Sequence, residues 1–160
     1  MIQETAYVAL GSNVGDRARH IYDGVRMLQD ATGAQIRLSP LYETAPEGYE
    51  DQPAFLNGVM ELAGELPAPR ELLETCMRIE ALLGRERTVA MGPRTIDLDL
   101  LLHGDLVAAD DRLMLPHPRM HMRRFVLQPL ADLAPDARHP VLRATVAQML
   151  AALGSPDTGI

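Results

Sequence analysis

Residues 95–102, TIDLDLLL, place two carboxylates inside a run that is otherwise apolar. Side chains of a strand alternate between its faces, so Asp97 and Asp99 share one face and their apolar neighbours share the other. The apolar face can pack against helices, whereas the carboxylates lie about 6–7 Å apart and repel each other. This stretch therefore predicts a sheet that is packed on one face and polar on the other.

Two interpretations of the Asp-x-Asp pattern stay open at the level of the strand alone. The carboxylates could form the solvated face of an amphipathic strand, or they could bind a divalent cation that removes their repulsion. Mg²⁺ suits the second case, since it takes one or two carboxylates together with waters and substrate phosphates. Arg94, held by the Gly92-Pro93 pair just before the strand, favours the cation, because magnesium and arginine recur together in phosphoryl transfer.

Composition narrows the chemistry further. The chain has 160 residues with a formal net charge of -7, and all fifteen basic residues are arginines. The absence of lysine excludes a P-loop lysine and a Schiff base. The acidic balance argues against nucleic-acid binding. A local cluster of arginines nevertheless suits a small polyanion, and its members are Arg85, Arg87, Arg94, Arg112, Arg119, Arg123 and Arg124.

The periodicities predict an α/β chain that forms a single domain over residues 1–160. The order β-α-β-β-α-β is typical of a ferredoxin-like sandwich with a mostly antiparallel sheet, followed by extra C-terminal strands and helices. Asp16 is expected to cap the first helix and Gly33 to end it. Residues 154–160 are expected to be a frayed tail. The predicted elements are strands 5–10, 36–44, 55–62 and 95–102, short strands near 106–109 and 112–116, and helices from 16, 67 and 142, with another before 133.

The cysteine content and the N-terminal sequence bear on the compartment. Cys76 is the only cysteine, so no intramolecular disulfide can form, and its helical position predicts a buried thiol. No stretch has the roughly 20 apolar residues that a membrane span needs, and the N-terminus lacks the charged and apolar regions of a signal peptide. We expect a reduced, cytoplasmic protein that binds no membrane.

Several other residues are candidates for a site. Glu80 borders the apolar stripe of the second helix, although such a position is also typical of a surface glutamate. Phe55 and Asn57 lie on one face of a strand, where a ring beside an amide could recognise a heterocycle. His117 and His121 have a spacing that helical zinc ligands use, but the prolines around His117 argue against a helix there. A segment that contacts phosphate or a nucleotide is the better interpretation.

Five blocks, in this order and spacing, resemble the family of 6-hydroxymethyl-7,8-dihydropterin pyrophosphokinases: ALGSNVGDR, ETAPEGYEDQPAFLN, MRIEALLGRER, GPRTIDLDLLLHG and PHPRMHMRRFVLQPL. The resemblance implies transfer of the β,γ-diphosphate of ATP to the hydroxymethyl group of a dihydropterin, with release of AMP, as a step of folate biosynthesis. It also implies a ferredoxin-like fold, a monomer, and two Mg²⁺ ions that assist ATP as co-substrate.

The same resemblance implies roles for individual residues. The catalytic set is Arg85, Arg94, Asp97 and Asp99, of which Asp97 and Asp99 hold the metal ions. The ATP-binding set is Met77, Glu80, Arg87, Arg94, Leu100, Arg112, His117 and Arg123. The pterin-binding set is Thr44, Ala45, Pro46, Glu47, Phe55, Asn57 and Phe125.

Two other classes of protein compete with this assignment. A nucleotidyl-transferring palm domain also places metal-binding carboxylates on a ferredoxin-like sheet, but it would release pyrophosphate instead of AMP. A non-catalytic binding module with a degenerate site would bind ATP or pterin without turnover. The combination of Asp97, Asp99 and Arg94 argues against the second alternative.

Overall fold

The computed structural model describes residues 2–45, 51–84 and 95–154. The predicted tail 154–160 lies outside this part of the chain except for Gly154. The strands are β1 (Ile2–Ser12), β2 (Gln35–Leu38), β3 (Tyr42–Thr44), β4 (Phe55–Leu66), β5 (Asp97–His103), β6 (Ala108–Ala109) and β7 (Met114–Leu115). The helices are α1 (Arg17–Thr32), α2 (Pro69–Leu82), α3 (Arg124–Leu133) and α4 (Val146–Ala152), with a 3₁₀ turn at Met120–Met122.

The main sheet has the strand order β2-β4-β1-β5, and β3 pairs with the first residues of β4. Every pairing in it is antiparallel. Helix α1 connects β1 to β2, and α2 connects β4 to β5. This is the predicted ferredoxin-like order, and it places the long β1 at the centre with β5 beside it.

Two hydrophobic cores lie on opposite faces of the sheet. The first packs α1 and α2 against it through residues such as Ile21, Leu28 and Cys76, all fully buried. The second packs α3 and α4 against the other face through residues such as Leu127 and Leu130. The C-terminal elements predicted beyond the ferredoxin-like pattern therefore cover the second face, so the expectation of a sheet packed on one face and polar on the other is wrong for most of that face.

The ends of α1 form as the sequence predicts. The Asp16 carboxylate accepts a hydrogen bond from the Arg19 backbone N–H at 3.2 Å, which satisfies one of the N–H groups at the start of the helix. Gly33 ends the helix with φ +70° and donates its N–H to Gln29 O.

Two of the predicted elements that differ in the structure have clear local causes. The strand expected over 36–44 is divided into β2 and β3 at Ser39 and Pro40, since proline has no N–H to continue the ladder. The Ser39 hydroxyl compensates by accepting from Val59 N at 2.9 Å. The last helix begins at Val146 and not at 142, because Thr145 caps it with Gln148 in a capping box.

We predict that Gly24→Ala stabilises the protein. Gly24 lies inside α1, and an added Cβ would be 3.5 Å from Ile96 Cδ1, an ordinary van der Waals contact. Alanine is favoured over glycine in a helix by about 1 kcal/mol, so the free energy of unfolding in urea should rise by about that amount. Gly58→Ala is the matched control. Its Cβ would lie 2.6 Å from Leu41 Cδ2, so this substitution should lower the free energy of unfolding. Equal changes in the free energy of unfolding for the two substitutions would contradict the difference in space around Gly24 and Gly58.

Candidate active site

Residues of three neighbouring strands line up at one end of the main sheet. Gly11 of β1 lies opposite Asn57 of β4 on one side and opposite Asp97 of β5 on the other. Ala9 lies opposite Asp99 in the next row. Directly paired residues point to the same face, and strands are spaced by about 4.8 Å, so the Cα atoms of Asn57 and Asp97 are about 10 Å apart. We call Asn57, Gly11 and Asp97 the central row.

The acidic side of the site is built by β5 and α2. Asp97 and Asp99 are half-buried and share the face predicted for them, while Leu98 packs into the first core. The buried carboxylate of Glu80 on α2 accepts the Leu98 backbone N–H at 2.8 Å. This bond joins α2 to β5 at Leu98, the residue between the two aspartates.

The opposite side is cationic and aromatic. Arg123 precedes α3, and its guanidinium carbon lies 5.4 Å from the centroid of the Phe125 ring, within the range of a cation–π contact. Phe55, 9% exposed at the start of β4, lines the same space. Two rings from different elements thus face a shared opening, as a planar ligand would require.

The amide of Asn57 is held in place by its neighbours. Its Nδ2 donates to the Thr44 hydroxyl. Its Oδ1 lies over Gly11, where an added Cβ would approach it to 2.6 Å. Gly11 therefore leaves the space that the Asn57 side chain occupies beside the aspartates.

These groups line one cleft of about 550 Å³, a usual size for a small-molecule site. Of the predicted residues, it is lined by Thr44, Ala45, Phe55, Asn57, Met77, Glu80, Asp97, Asp99, His117, Arg123 and Phe125. Leu100 and Arg112 are not among its lining residues; Leu100 is buried in the first core and Arg112 is exposed. Pro46, Glu47, Arg85, Arg87 and Arg94 lie outside the described residues.

The cleft also includes residues that the sequence did not single out. The first strand was predicted over 5–10, and its predicted end is wrong, because β1 continues through Ser12 and includes Gly11. Ala9 and Gly11 line the cleft. The two small residues, two positions apart, were the sequence signal that could have identified this part of the cleft. The other additions are Leu10, Gly58, Leu73, Leu98, Pro118 and Val126, and Arg119 joins the lining from the predicted arginine cluster.

Burial and charge set the protonation of two groups around the cleft. Burial, reinforced by Arg123 and Arg119, lowers the pKa of His117 to about 4. Its Nδ1 accepts from Arg119 N at 3.1 Å, so the neutral ring carries its proton on Nε2. Burial, with the negative charges of Glu80 and Asp99, raises the pKa of Cys76 to about 12. The thiol is therefore protonated at neutral pH, as expected for a packing residue.

The donor set fits magnesium that arrives with a phosphate ligand. Two carboxylate side chains from one strand face are what Mg²⁺ commonly takes from a protein, the remaining positions being filled by water and phosphate oxygens. Among the residues that the structure describes, no group of three or more His, Cys, Asp or Glu could hold a metal ion.

Comparison with known proteins links the chain to one family. The sequence profile of 7,8-dihydro-6-hydroxymethylpterin-pyrophosphokinase matches residues 7–135. The chain is 49% identical over 129 residues to the 2-amino-4-hydroxy-6-hydroxymethyldihydropteridine pyrophosphokinase of Bacillus subtilis, covering 80% of this chain and 77% of that protein. It is 42% identical over 156 residues to the folic acid synthesis protein fol1 of Schizosaccharomyces pombe, covering 97% of this chain and 21% of that protein.

The fold is also found in solved structures. A crystal structure of HPPK-DHPS in complex with substrates superposes with a TM-score of 0.72 at 13% identity, covering 94% of this chain and 43% of that one. At this identity the similarity shows the fold alone. The chain spans less than half of that protein and about a fifth of the fission yeast relative.

We predict that His117 stays neutral through the physiological range. In the ligand-free protein its ring should titrate near pH 4, and not near the ordinary 6.5. Because the unfolded chain takes up this proton first, the free energy of unfolding should fall as the pH drops from about 6.5 to about 4. The measurements are an NMR titration of the ring and urea unfolding of wild type and His117→Gln. A midpoint near 6.5, or equal acid sensitivity of both proteins, would contradict the assignment.

Proposed function

Because the chain belongs to the 7,8-dihydro-6-hydroxymethylpterin-pyrophosphokinase family, we propose that its cleft transfers diphosphate from ATP to the hydroxymethyl group of 6-hydroxymethyl-7,8-dihydropterin. The products are the dihydropterin diphosphate and AMP, and the reaction is a step of folate biosynthesis. The central row carries the proposal: a heterocycle-reading amide and a metal-binding carboxylate share one sheet face, with a glycine between them.

The pterin end of the cleft is assigned to β3, β4 and α3. Phe55 and Phe125 would stack on the two faces of the ring, and Asn57, oriented by Thr44, would hydrogen-bond its edge. Ala45 would contribute backbone contacts at the rim, and Pro46 and Glu47 continue the same proposed set. An amide suits this task because it donates and accepts at once.

The nucleotide end is assigned to α2 and to residues 117–123. Met77 is half-exposed and lies one turn before Glu80, so it offers apolar surface to a base next to a carboxylate. Neutral His117 can donate from Nε2, and Arg123 adds a fixed positive charge that suits a triphosphate. The proposed set also includes Leu100, Arg112, Arg87 and the catalytic arginines Arg85 and Arg94.

Asp97 and Asp99 would hold Mg²⁺, with two ions as the proposed number. Bound there, magnesium would neutralise phosphate charge and lower the pKa of the attacking hydroxyl. The protein's part is to hold the two carboxylates at one fixed spacing on β5 and to leave their cleft side open to the phosphates. Glu80 is engaged with the Leu98 N–H and so keeps the strand in position.

Positioning and charge stabilisation supply most of the catalysis in this scheme. The hydroxyl attacks the β-phosphorus in line and AMP departs, a reaction that asks little covalent chemistry of the protein. Asn57 and the two phenyl rings would orient the pterin hydroxymethyl group toward Asp97 along the central row. The aromatic walls would also limit the access of water, which competes as an acceptor.

The remaining proposals concern the state of the protein. We propose a monomer that works in the cytoplasm on small-molecule substrates and binds neither nucleic acid nor membrane. Within the ranges 2–45, 51–84 and 95–154, no helix combines the length and apolar character needed to cross a bilayer.

We predict that Asp97→Ala and Asp99→Ala each nearly abolish turnover while the fold survives, since the metal ligands lie on an open face and not in a core. The assay supplies Mg-ATP and the dihydropterin and identifies the nucleotide product. Asp111→Ala, an exposed carboxylate elsewhere, is the control. Substantial activity in either cleft variant would contradict the metal assignment. Release of pyrophosphate in place of AMP would indicate a nucleotidyl transferase.

We predict that Gly11→Ala weakens pterin binding selectively. The new methyl group would displace the Asn57 amide, whose Oδ1 lies 2.6 Å from the Cβ position. The KM for the dihydropterin should rise about tenfold, the equivalent of one good hydrogen bond to a ligand. The KM for ATP should stay within about twofold. Equal changes in both constants would show that the whole site, and not its pterin end, has been disturbed.

A further inference from the structure

Arg17, the first residue of α1, bridges two strands that build the pterin end of the cleft. Its Nη1 donates to Ala54 O at 2.9 Å, and its Nη2 donates to the Glu43 carboxylate at 2.7 Å. Ala54 directly precedes Phe55 on β4, and Glu43 directly precedes Thr44 on β3. One guanidinium is therefore bonded next to each of two residues that line the cleft.

Asn13 reinforces the same connection from the end of β1. Its side chain is 1% exposed, and its Nδ2 donates to Gln52 Oε1 at 2.8 Å and to Pro53 O at 3.0 Å. The segment 52–54 that leads into β4 is thus bonded to the β1–α1 connection at three consecutive residues. A buried amide with two acceptors on this segment fixes its path.

The bonds act from behind the pterin site. Thr44 pairs with Phe55, and Glu43 pairs with Leu56. Because neighbouring residues of a strand face opposite ways, Glu43 and Leu56 point away from the face that carries Thr44 and Phe55. Leu56 packs against the first core accordingly. Arg17 therefore holds the start of the β3–β4 pair without entering the cleft.

We infer that Arg17 is a positioning residue for the pterin, one that fixes Phe55 and Thr44 for stacking and hydrogen bonding. This inference rests on the proposed function. The ion pair with Glu43 is 29% and 62% exposed on its two sides, and such exposed pairs contribute little by themselves. The fork geometry contributes more, since a planar guanidinium serves two acceptors on different strands and a lysine ammonium does not match it.

The test separates substrate positioning from general stability. AMP release is measured for wild type, Arg17→Ala, Arg17→Lys and Glu43→Gln, with Arg26→Ala as the control on the exposed side of the same helix. Arg17→Ala should raise the KM for the dihydropterin about tenfold, the loss expected for charge-assisted hydrogen bonds, and should leave the KM for ATP within about twofold. Arg17→Lys should recover part of this loss, and Glu43→Gln should show a smaller rise.

Backbone hydrogen exchange gives a readout that does not depend on turnover. The amides of residues 52, 54 and 55 should exchange faster in Arg17→Ala than in wild type or Arg26→Ala, while the amides of α2 stay unchanged. Unchanged exchange at 52–55, or equal increases in both KM values, would overturn the inference. If the amides at 52–55 do exchange faster in Arg17→Ala but the wild type releases no AMP, the proposed function is overturned and not the effect of Arg17 on this segment.

Discussion

The antiparallel pairing of β1 with both of its neighbours is the constraint on which the site depends. It places Asn57, Gly11 and Asp97 in one row through the register of the three strands. Gly11 is therefore held at strand spacing from residues 46 and 86 positions away in the sequence. A slip of one residue in either pairing would turn the amide or the carboxylates into the first core.

The distribution of charge follows from this placement. The acids come from β5 and α2, and the described cations of the cleft come from residues 119 and 123 on the other wall. Glu80 is buried but accepts a strand N–H, whereas Asp97 and Asp99 stay half-exposed. A buried carboxylate needs such a partner, and two half-exposed ones keep access to water or to a cation. The site thus combines a fixed acid that supports the strand with two accessible acids beside it.

Sequence patterns predicted what depends on local periodicity. The alternation in TIDLDLLL indicated which face Asp97 occupies, and the signals at Asp16 and Gly33 marked the ends of α1 correctly. What the sequence did not reveal depends on distant partners. The extension of β1 through Gly11 needs pairing on both sides, and the bonds of Arg17 join residues 26 and 37 positions away. A glycine before a polar turn and an arginine at a helix start have many local explanations.

A bulge in β5 explains how one short strand can serve both the site and the core. The register pairs Val8 with Leu100 and Tyr7 with Leu102, so it shifts by one residue at Leu101. Before the shift Asp99 faces the cleft, and after it Leu102 takes that face with Tyr7 in the second core. A regular strand would instead place His103 on that face. The bulge turns His103 to pair with Ala6, where its Nε2 lies 3.0 Å from Pro67 O and the side chain is fully buried. The run LLLH shows no change of periodicity that would predict this shift. The division of this sheet face into a polar part at the cleft and an apolar part in the second core nevertheless depends on the shift.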